Sequence, residues 1–274
     1  VRLQNFVRLL VNADGSYTDS RHISPEQLDK MDYFISQLEK NGIYIYLDLL
    51  DSRPFMKGDG LPLPGGKFPW KGIWPRRQPA VFNERMIELQ KEYAKNLLTH
   101  RNPYTKLRYV DDPGIALIEI ANELSFFWQD WTKMIEPFKS DLTKRWNRWL
   151  TTRYKNKEEF QAAWKRLYGA NYLKKGADNP WAGTVPLPRI NRRFMPTAKI
   201  FAYELMRKYY KTMYTYLRRI GVKIPITGDN WPRWSAGIKA VAEETDFVSQ
   251  HHYYDLRDKM LPICWLSPRS VMGR

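Results

Sequence analysis

The sequence predicts an α/β fold on a parallel sheet, and in particular an incomplete (β/α)8 barrel. Strand and helix patterns alternate along the 274 residues, as they do in consecutive βαβ units. The predicted strands are nearly continuous apolar runs, which are typical of parallel strands buried on both faces. Polar and aromatic residues follow the carboxyl ends of successive strands, where barrel active sites are built. This last observation favours a barrel over a doubly wound sheet.

Five strands are predicted, with helices between them. The first helix has clear end signals, since Ser24 can cap it, Pro25 suits its first turn and Gln27 can complete a capping box. Gly42 then ends it. Further helices are predicted near residues 83–99, 196–220 and Ser235–Glu244. The predicted strands span residues 1–6, 43–50, 115–120, 222–227 and 247–253.

The whole chain, residues 1–274, is interpreted as one partial barrel domain. Residues 124–195 are predicted to form a loop and a helical insertion that interrupts the alternation. A second long loop, rich in glycine and proline, follows the strand at 43–50. Loops of this length in a compact domain are usually functional or disordered, and Trp70 and Trp74 favour an ordered wall.

The formal net charge of +16, from 45 basic and 29 acidic residues, has two interpretations. A basic surface attracts polyanions such as nucleic acid or an acidic polysaccharide. An ordinary solvated surface is the alternative, and the even spread of the basic residues favours it. We therefore predict no nucleic-acid partner. No apolar run approaches the roughly 20 residues that span a bilayer, so no membrane span is expected.

Neither cysteine nor histidine indicates a metal site. Cys264 is the only cysteine, which excludes an intramolecular disulfide. Two of the four histidines, His251 and His252, are adjacent and would point to opposite faces of an extended strand. The chain has no phosphate-binding glycine loop and no Gly-x-Ser-x-Gly elbow. We predict neither a metal nor a cofactor.

The clearest candidate for chemistry is Glu123, which follows the predicted strand 115–120 and is preceded by Asn122. Strand alternation puts Glu119, Ala121 and Glu123 on one face. In a barrel, Glu123 would then lie at the mouth and Glu119 one layer deeper. A half-buried carboxyl has a raised pKa, as a general acid requires. The deeper Glu119 must be paired or neutral, because a lone buried charge is costly.

With these motifs the chain resembles the clan A glycoside hydrolases, the retaining (β/α)8 enzymes that include cellulases, mannanases and β-galactosidases. The resemblance covers nearly the whole chain, in the order of the clan's strands two to six. "VRL" at Val1 resembles strand two, "GIYIYLDLLDSRPF" at Gly42 strand three and "DDPGIALIEIANE" at Asp111 strand four. "KIPITGDNW" at Lys223 and "DFVSQHHYYD" at Asp246 resemble strands five and six. "WNRWLTTRY" and "FQAAWKRLYG" resemble the helical insertion of the β-galactosidase-like branch.

The resemblance implies roles for several residues. In the clan an Asn-Glu pair ends strand four and its glutamate is the acid/base, which corresponds to Asn122 and Glu123. Asn122 would hold the sugar 2-hydroxyl. The strand-two arginine near the nucleophile is assigned to Arg2, because its spacing to the next helix suits the clan, and Arg8 is the alternative. Leu50 stands where some families carry a substrate-binding histidine.

The His-x-Tyr motif of strand six corresponds to His251 and Tyr253. In the clan the tyrosine typically hydrogen-bonds the nucleophile, and the histidine lines the subsite. A polar strand end packed beneath a loop is the alternative, and His252 and Tyr254 are the candidates if the motif is out of phase.

Tryptophans that follow strand ends are candidate platforms for sugar rings, whose CH faces are apolar. Trp128, Trp231 and Trp234 hold such positions. With 11 tryptophans in the chain most must be structural, so core packing is an equal alternative for Trp231.

A retaining glycosidase needs a second carboxyl about 5–5.5 Å from the acid/base, and in the clan a glutamate that ends strand seven supplies it. No glutamate follows Glu244, and Asp255 and Asp258 lie too close behind strand six. The nucleophile is therefore expected beyond Arg274. Strands one, seven and eight are expected outside the chain, so that these 274 residues alone would be inactive.

The sequence thus predicts hydrolysis of O-glycosidic bonds in a β-linked oligo- or polysaccharide by a retaining double displacement. The predicted partner is the carbohydrate substrate, and the expected location is secreted or periplasmic. The alternative is a non-catalytic carbohydrate-binding barrel, which keeps the aromatic cleft and lacks the chemistry. A strand-seven glutamate would discriminate between them.

Overall fold

The computed structural model contains four strands and seven α-helices within the part of the chain that it describes. The strands are β1 Arg2–Leu3, β2 Ile45–Leu50, β3 Ile115–Ala121 and β4 Ile226–Asp229. The helices are α1 Phe6–Leu10, α2 Pro25–Lys40, α3 Glu84–Leu98, α4 Phe138–Thr151, α5 Lys157–Tyr168, α6 Pro196–Arg219 and α7 Ser235–Glu244. The described residues are 1–4, 6–11, 15–51, 53–62, 78–124, 126–127, 130–169, 177–188, 196–232 and 235–251.

The four described strands form one parallel sheet in sequence order. Asp48 of β2 lies beside Glu119 of β3, which lies beside Thr227 of β4. One layer closer to the carboxyl ends, Ala121 lies beside Asp229. Neighbours in register point to the same side of a parallel sheet. One face of this sheet therefore carries polar side chains, and Glu119 and Ala121 share that face, as strand alternation predicts.

The opposite face of the sheet is apolar and contacts helices α3, α6 and α7. Burial of each such side chain stabilises the fold by roughly 1.5–3 kcal/mol relative to exposure. The buried residues of this face are Leu3, Leu47, Leu49, Ile118, Ile120 and Ile226.

The predicted fifth strand, residues 247–253, is wrong over its described part. That part runs beside β4 without strand pairing. The Asp246 N–H donates to the Ile226 carbonyl at 2.9 Å, and the His251 N–H donates to the Asn230 carbonyl at 2.7 Å. This segment advances five residues while β4 and the loop after it advance four, so a regular ladder cannot form. The rest of the predicted strand lies outside the described residues.

Two other predicted strand bounds are also wrong. The strand expected over residues 1–6 is only the two-residue β1, because the chain then coils into α1 and buries Val7 and Leu10 one turn apart. The strand expected from residue 222 begins only at Ile226. Pro225 directly precedes it and has no N–H to donate to a ladder.

Helix α2 begins where the sequence signals predict. The Ser24 hydroxyl accepts the Gln27 N–H at 3.4 Å, and Pro25 is the first helical residue. Asn83 caps α3 in the same way, since its side-chain oxygen accepts the Met86 N–H at 3.0 Å. Each such cap stabilises a helix by about 1 kcal/mol.

The helical insertion consists of α4 and α5, which pack their aromatic side chains against α6. Trp146 stacks on Trp149 with 5.5 Å between ring centroids, and Phe201 of α6 meets Trp146 edge-on at 5.2 Å. Trp164 lies 6.3 Å from Trp146. Trp146 and Trp164 are core residues and Trp149 is partly buried against the core, and the three attach the insertion to the main body of helices.

Candidate active site

Glu123 lies two residues beyond β3, at the carboxyl-terminal end of the parallel sheet. Its side chain is 14% exposed, so it is sheltered but still reachable from solvent. Its backbone has φ = +50°, in the left-handed region that residues with a Cβ rarely enter. Such a conformation costs about 1–2 kcal/mol, and it persists only where surrounding groups hold it.

The His251 ring bridges Glu123 and Arg2. Its Nδ1 lies 3.0 Å from Glu123 Oε1, and its Nε2 contacts Arg2 Nη1. A guanidinium can only donate, so Nε2 is assigned as the acceptor and Nδ1 as the donor. His251 therefore donates to Glu123 and fixes the direction of that carboxyl.

Arg2 is the common partner of the polar face. Its Nε donates to Asp48 Oδ1 at 3.0 Å and its Nη2 donates to Asp48 Oδ2 at 2.7 Å, which is the strong bidentate geometry. Nη2 also donates to Asn122 Oδ1 at 2.8 Å and lies 3.2 Å from Glu119 Oε2. Through these bonds the guanidinium of Arg2, which belongs to β1, connects β1 to β2 and β3, and its contact with His251 adds the segment after α7.

The Asn122 amide is held from three directions. Its Oδ1 accepts from Arg2 and also from Asn230 Nδ2, the latter at 2.8 Å. Its Nδ2 donates to Asp51 Oδ1 at 3.2 Å. A flipped amide would break all three hydrogen bonds, so the orientation of the Asn122 side chain is fixed before any ligand arrives.

Glu119 lies one layer deeper and is fully buried. The Tyr46 hydroxyl donates to its Oε2 at 2.6 Å. Burial, and then the negative charge of Asp48, raise the pKa of Glu119 to about 9. Burial raises the pKa of Asp48 to about 6 against the opposing effect of Arg2. At pH 7 the Arg2 charge is therefore balanced by Asp48, and Glu119 is both hydrogen-bonded and neutral.

The neutral state of Glu119 leads to a stability prediction. Its pKa is higher in the folded chain than the usual value of about 4.3, so its contribution to the free energy of unfolding falls as the pH rises from about 4 toward 9. We expect Glu119→Gln to stabilise the protein at pH 8, relative to pH 5, by roughly 4 kcal/mol. Urea unfolding at the two pH values measures this difference.

Glu88→Gln is the matched control for Glu119→Gln, because Glu88 is exposed on α3. This control should change the unfolding free energy little at either pH. An equal effect of Glu119→Gln at pH 5 and pH 8 would contradict a neutral Glu119.

Asp229 ends β4 and is fully buried. Its Oδ1 accepts the backbone N–H groups of Leu124 at 3.1 Å and of Trp231 at 3.0 Å. Burial raises the pKa of Asp229 to about 7, and the charge of Glu123 acts in the same direction. The two carboxyl groups are therefore electrostatically coupled.

The structure brings five of the predicted site residues together, namely Arg2, Asn122, Glu123, Trp231 and His251. The Trp231 ring meets the His251 ring edge-on at 6.3 Å. The alternative arginine, Arg8, is exposed on α1. Other predicted site residues and alternatives lie outside the described residues, and these are Trp128, Tyr253, His252, Tyr254 and Trp234.

Sequence analysis did not identify Asp48, Asp229 or Asn230 as part of this site. Asp229 and Asn230 stand at the end of β4 as Glu123 stands after β3, so the strand-end rule points to them once β4 is correctly bounded. Asp48 is an isolated carboxyl in the apolar run of β2, and such a residue in a buried strand must be paired.

Among the described residues, no group of three or more His, Cys, Asp or Glu side chains is arranged to hold a metal ion. None of the helices in the described ranges is long and apolar enough to cross a membrane.

Sequence similarity decides the family. Residues 74–262, more than half of the chain, match the model of glycoside hydrolase family 42, which is described as β-galactosidase. The chain belongs to this family. Family 42 membership places it among the O-glycosyl hydrolases, and the matched region includes Asn122, Glu123 and His251. No functionally curated protein matches the sequence.

Several solved structures are similar to this chain. A β-galactosidase from the psychrophilic Marinomonas ef1 matches with a TM-score of 0.57 and 15% identity, over 92% of this chain and 36% of that one. An exo-β-agarase matches with a TM-score of 0.48 and 15% identity, over 90% and 34% of the two chains. An endo-1,4-β-mannanase from Rhizomucor miehei matches with a TM-score of 0.44 and 16% identity, over 82% and 48%.

The chain spans about a third to a half of the length of these structures. The match to the Marinomonas enzyme and the parallel sheet with its helices confirm the predicted α/β fold class, and the four described strands form part of a (β/α)8 barrel.

Proposed function

We propose that the protein hydrolyses β-galactosides by a retaining double displacement, with Glu123 as the general acid/base. The carboxyl of Glu123 carries this proposal, because it lies at the carboxyl-terminal end of the sheet, is only 14% exposed and is oriented by His251. Membership of family 42, described as β-galactosidase, supports the choice of sugar.

In the first step, Glu123 donates its proton to the glycosidic oxygen while a carboxylate nucleophile attacks the anomeric carbon. The bond between that carbon and the leaving oxygen breaks, and a glycosyl ester forms. In the second step, Glu123 takes a proton from water, the water oxygen bonds to the anomeric carbon, and the nucleophile leaves. His251 keeps the Glu123 carboxyl in one orientation through both steps.

The nucleophile is proposed to come from outside the described residues. The nearby carboxyl groups within those residues already have other roles. Glu119 is buried and neutral at pH 7, Asp48 is held by both prongs of Arg2, and Asp229 accepts two backbone N–H groups. None of them is arranged to attack an anomeric carbon beside Glu123.

Asn122, Trp231 and Arg2 are proposed to bind and orient the reacting groups. The fixed amide of Asn122 supports a hydrogen bond to the sugar 2-hydroxyl, which strengthens as the transition state forms. Trp231, half-buried beside His251, would offer an apolar wall to a sugar ring. Arg2 would orient the incoming nucleophile from the floor of the site.

The stereochemistry of the product tests the proposed function. With an aryl β-galactoside and the protein as its gene encodes it, we expect β-galactose to be the first product, because two inversions restore the configuration. Proton NMR of the anomeric signals in the first minutes, before mutarotation, measures this. The α-anomer first would indicate an inverting enzyme. Galactoside binding without turnover would favour the non-catalytic barrel.

A further inference from the structure

Asp229, the last residue of β4, and Asn230, which follows it, accept hydrogen bonds from the backbone at the proposed acid/base and at the residue after it. Asn230 Oδ1 accepts the Glu123 N–H at 3.1 Å, and Asp229 Oδ1 accepts the Leu124 N–H at 3.1 Å. Two consecutive backbone N–H groups after β3 thus donate to two consecutive side chains at the carboxyl end of β4. Both bonds cross more than a hundred residues of sequence, so only the pairing of the strands brings them together.

We infer that Asp229 and Asn230 are positioning residues, which hold Glu123 in the left-handed backbone conformation from which its carboxyl reaches the leaving group. This inference rests on the proposed function of Glu123. The Glu123 φ of +50° is unfavourable for a side chain with a Cβ, and a strained backbone persists only where its surroundings determine it. The hydrogen bonds from the Glu123 and Leu124 N–H groups to Asn230 and Asp229 act directly on the backbone at this point.

Burial holds the side chains of Asp229 and Asn230 in place. Asp229 and Asn230 are both 0% exposed, so neither side chain can swing into solvent. Asp229 Oδ1 also accepts the Trp231 N–H, and Asn230 Nδ2 donates to Asn122 Oδ1. The same two side chains thereby fix their own loop and orient the asparagine that precedes the acid/base.

A positioning role predicts a specific kinetic defect. A displacement of about 1 Å in a catalytic group lowers the rate by about 10²-fold. The loss should appear where proton donation limits the rate, and it should be small for a leaving group that departs without a proton. A merely structural role would lower both rates together, through the amount of folded protein.

The test uses Asp229→Ala, which removes the acceptor, and Asp229→Asn, which keeps Oδ1 as an acceptor. Asn230→Ala removes the acceptor of the Glu123 N–H and serves as an independent variant if Asp229→Ala does not fold. The control is Asp246→Ala, because Asp246 accepts the Ile226 N–H at 2.7 Å at the opposite end of β4. Alkyl and 2,4-dinitrophenyl β-galactosides are compared, and amide hydrogen exchange is followed at residues 123 and 124.

For Asp229→Ala we expect kcat/KM, which reports the first step, to fall about 10²-fold on the alkyl galactoside and less than about fivefold on the dinitrophenyl galactoside. Exchange of the Leu124 amide should accelerate about tenfold, as expected for the loss of one hydrogen bond. Asn230→Ala should accelerate hydrogen exchange of the Glu123 amide to a similar extent. Asp229→Asn should stay within about threefold of the parent on both substrates, and Asp246→Ala should lower Tm without changing the ratio of the two rates.

Unchanged exchange at both amides would overturn the inference, and so would an Asp229→Asn variant as impaired as Asp229→Ala. An equal loss of kcat/KM on the alkyl and the dinitrophenyl galactoside would overturn it as well. If the parent protein hydrolyses no glycoside, the proposed function fails, but hydrogen exchange still decides whether the two side chains hold this backbone.

Discussion

Glu123→Gln is expected to lower kcat/KM for an alkyl β-galactoside by about 10²–10⁴-fold. Glutamine keeps the shape of the side chain and an oxygen that can accept from His251 Nδ1, so the geometry of the site is preserved. It cannot deliver a proton to the glycosidic oxygen. Substrates that need protonation therefore lose most of their rate, whereas a dinitrophenyl leaving group departs unaided and still allows the glycosyl ester to form.

A plot of log kcat/KM against the pKa of the leaving group measures this effect. The parent should show a shallow slope and Glu123→Gln a steep one. Mass spectrometry with the activated substrate should show the glycosyl ester accumulating in the variant, because the second step has lost its base. Glu26→Gln, on the exposed side of α2, is the control and should follow the parent. Equal losses on good and poor leaving groups would argue against an acid/base role.

Arg2→Met is expected to destabilise the fold by about 3 kcal/mol at pH 8. Asp48 is fully buried as a side chain and ionised at neutral pH, and Arg2 is its cation. Removal of one partner leaves the other charge uncompensated, which costs more than the pair contributes. The loss should shrink at pH 5. Asp48 is then mostly protonated in both the parent and the variant, so the variant no longer leaves a buried charge without its cation.

Urea unfolding of the parent and the variant at pH 5 and pH 8 tests this prediction. Asp48→Asn added to Arg2→Met should recover part of the loss, since the buried charge is then gone. Arg148→Met is the matched control, because Arg148 is exposed on α4, and it should cost less than about 0.5 kcal/mol. A loss of the same size at both pH values, without recovery in the double variant, would show that Arg2 acts through packing alone.

The polar face of the sheet is costly for the fold. Burial raises the pKa values of Glu119, Asp48 and Asp229 to about 9, 6 and 7. A carboxyl whose pKa is higher in the folded state destabilises that state as the pH rises between the unfolded and the folded pKa. These three groups therefore oppose stability from about pH 4 upward. Local conflicts of this kind are expected at functional sites, and here they surround Glu123.

Much of the fold and the position of Glu123 at the carboxyl end of β3 could be predicted from the sequence. The apolar runs of β2 and β3 and the caps at Ser24 and Asn83 depend on neighbouring residues only, so pattern analysis finds them. Glu123 was identifiable for the same reason, because a carboxyl directly after a buried strand is a local signal. The strand ends near β1 and residue 247 were predicted incorrectly, since they depend on which backbone groups a neighbouring strand can supply.

The sequence by itself determined the alternation of strands and helices, the family, and the position of Glu123 beyond β3. Only the tertiary structure decided the partners of that carboxyl. The proton on His251 Nδ1 follows from the contact of Nε2 with Arg2, and the neutral state of Glu119 follows from its complete burial beside Asp48. The hold of Asp229 on the backbone after Glu123 joins residues more than a hundred positions apart. Burial and strand register are properties of the packed sheet, and no pattern along one strand contains them.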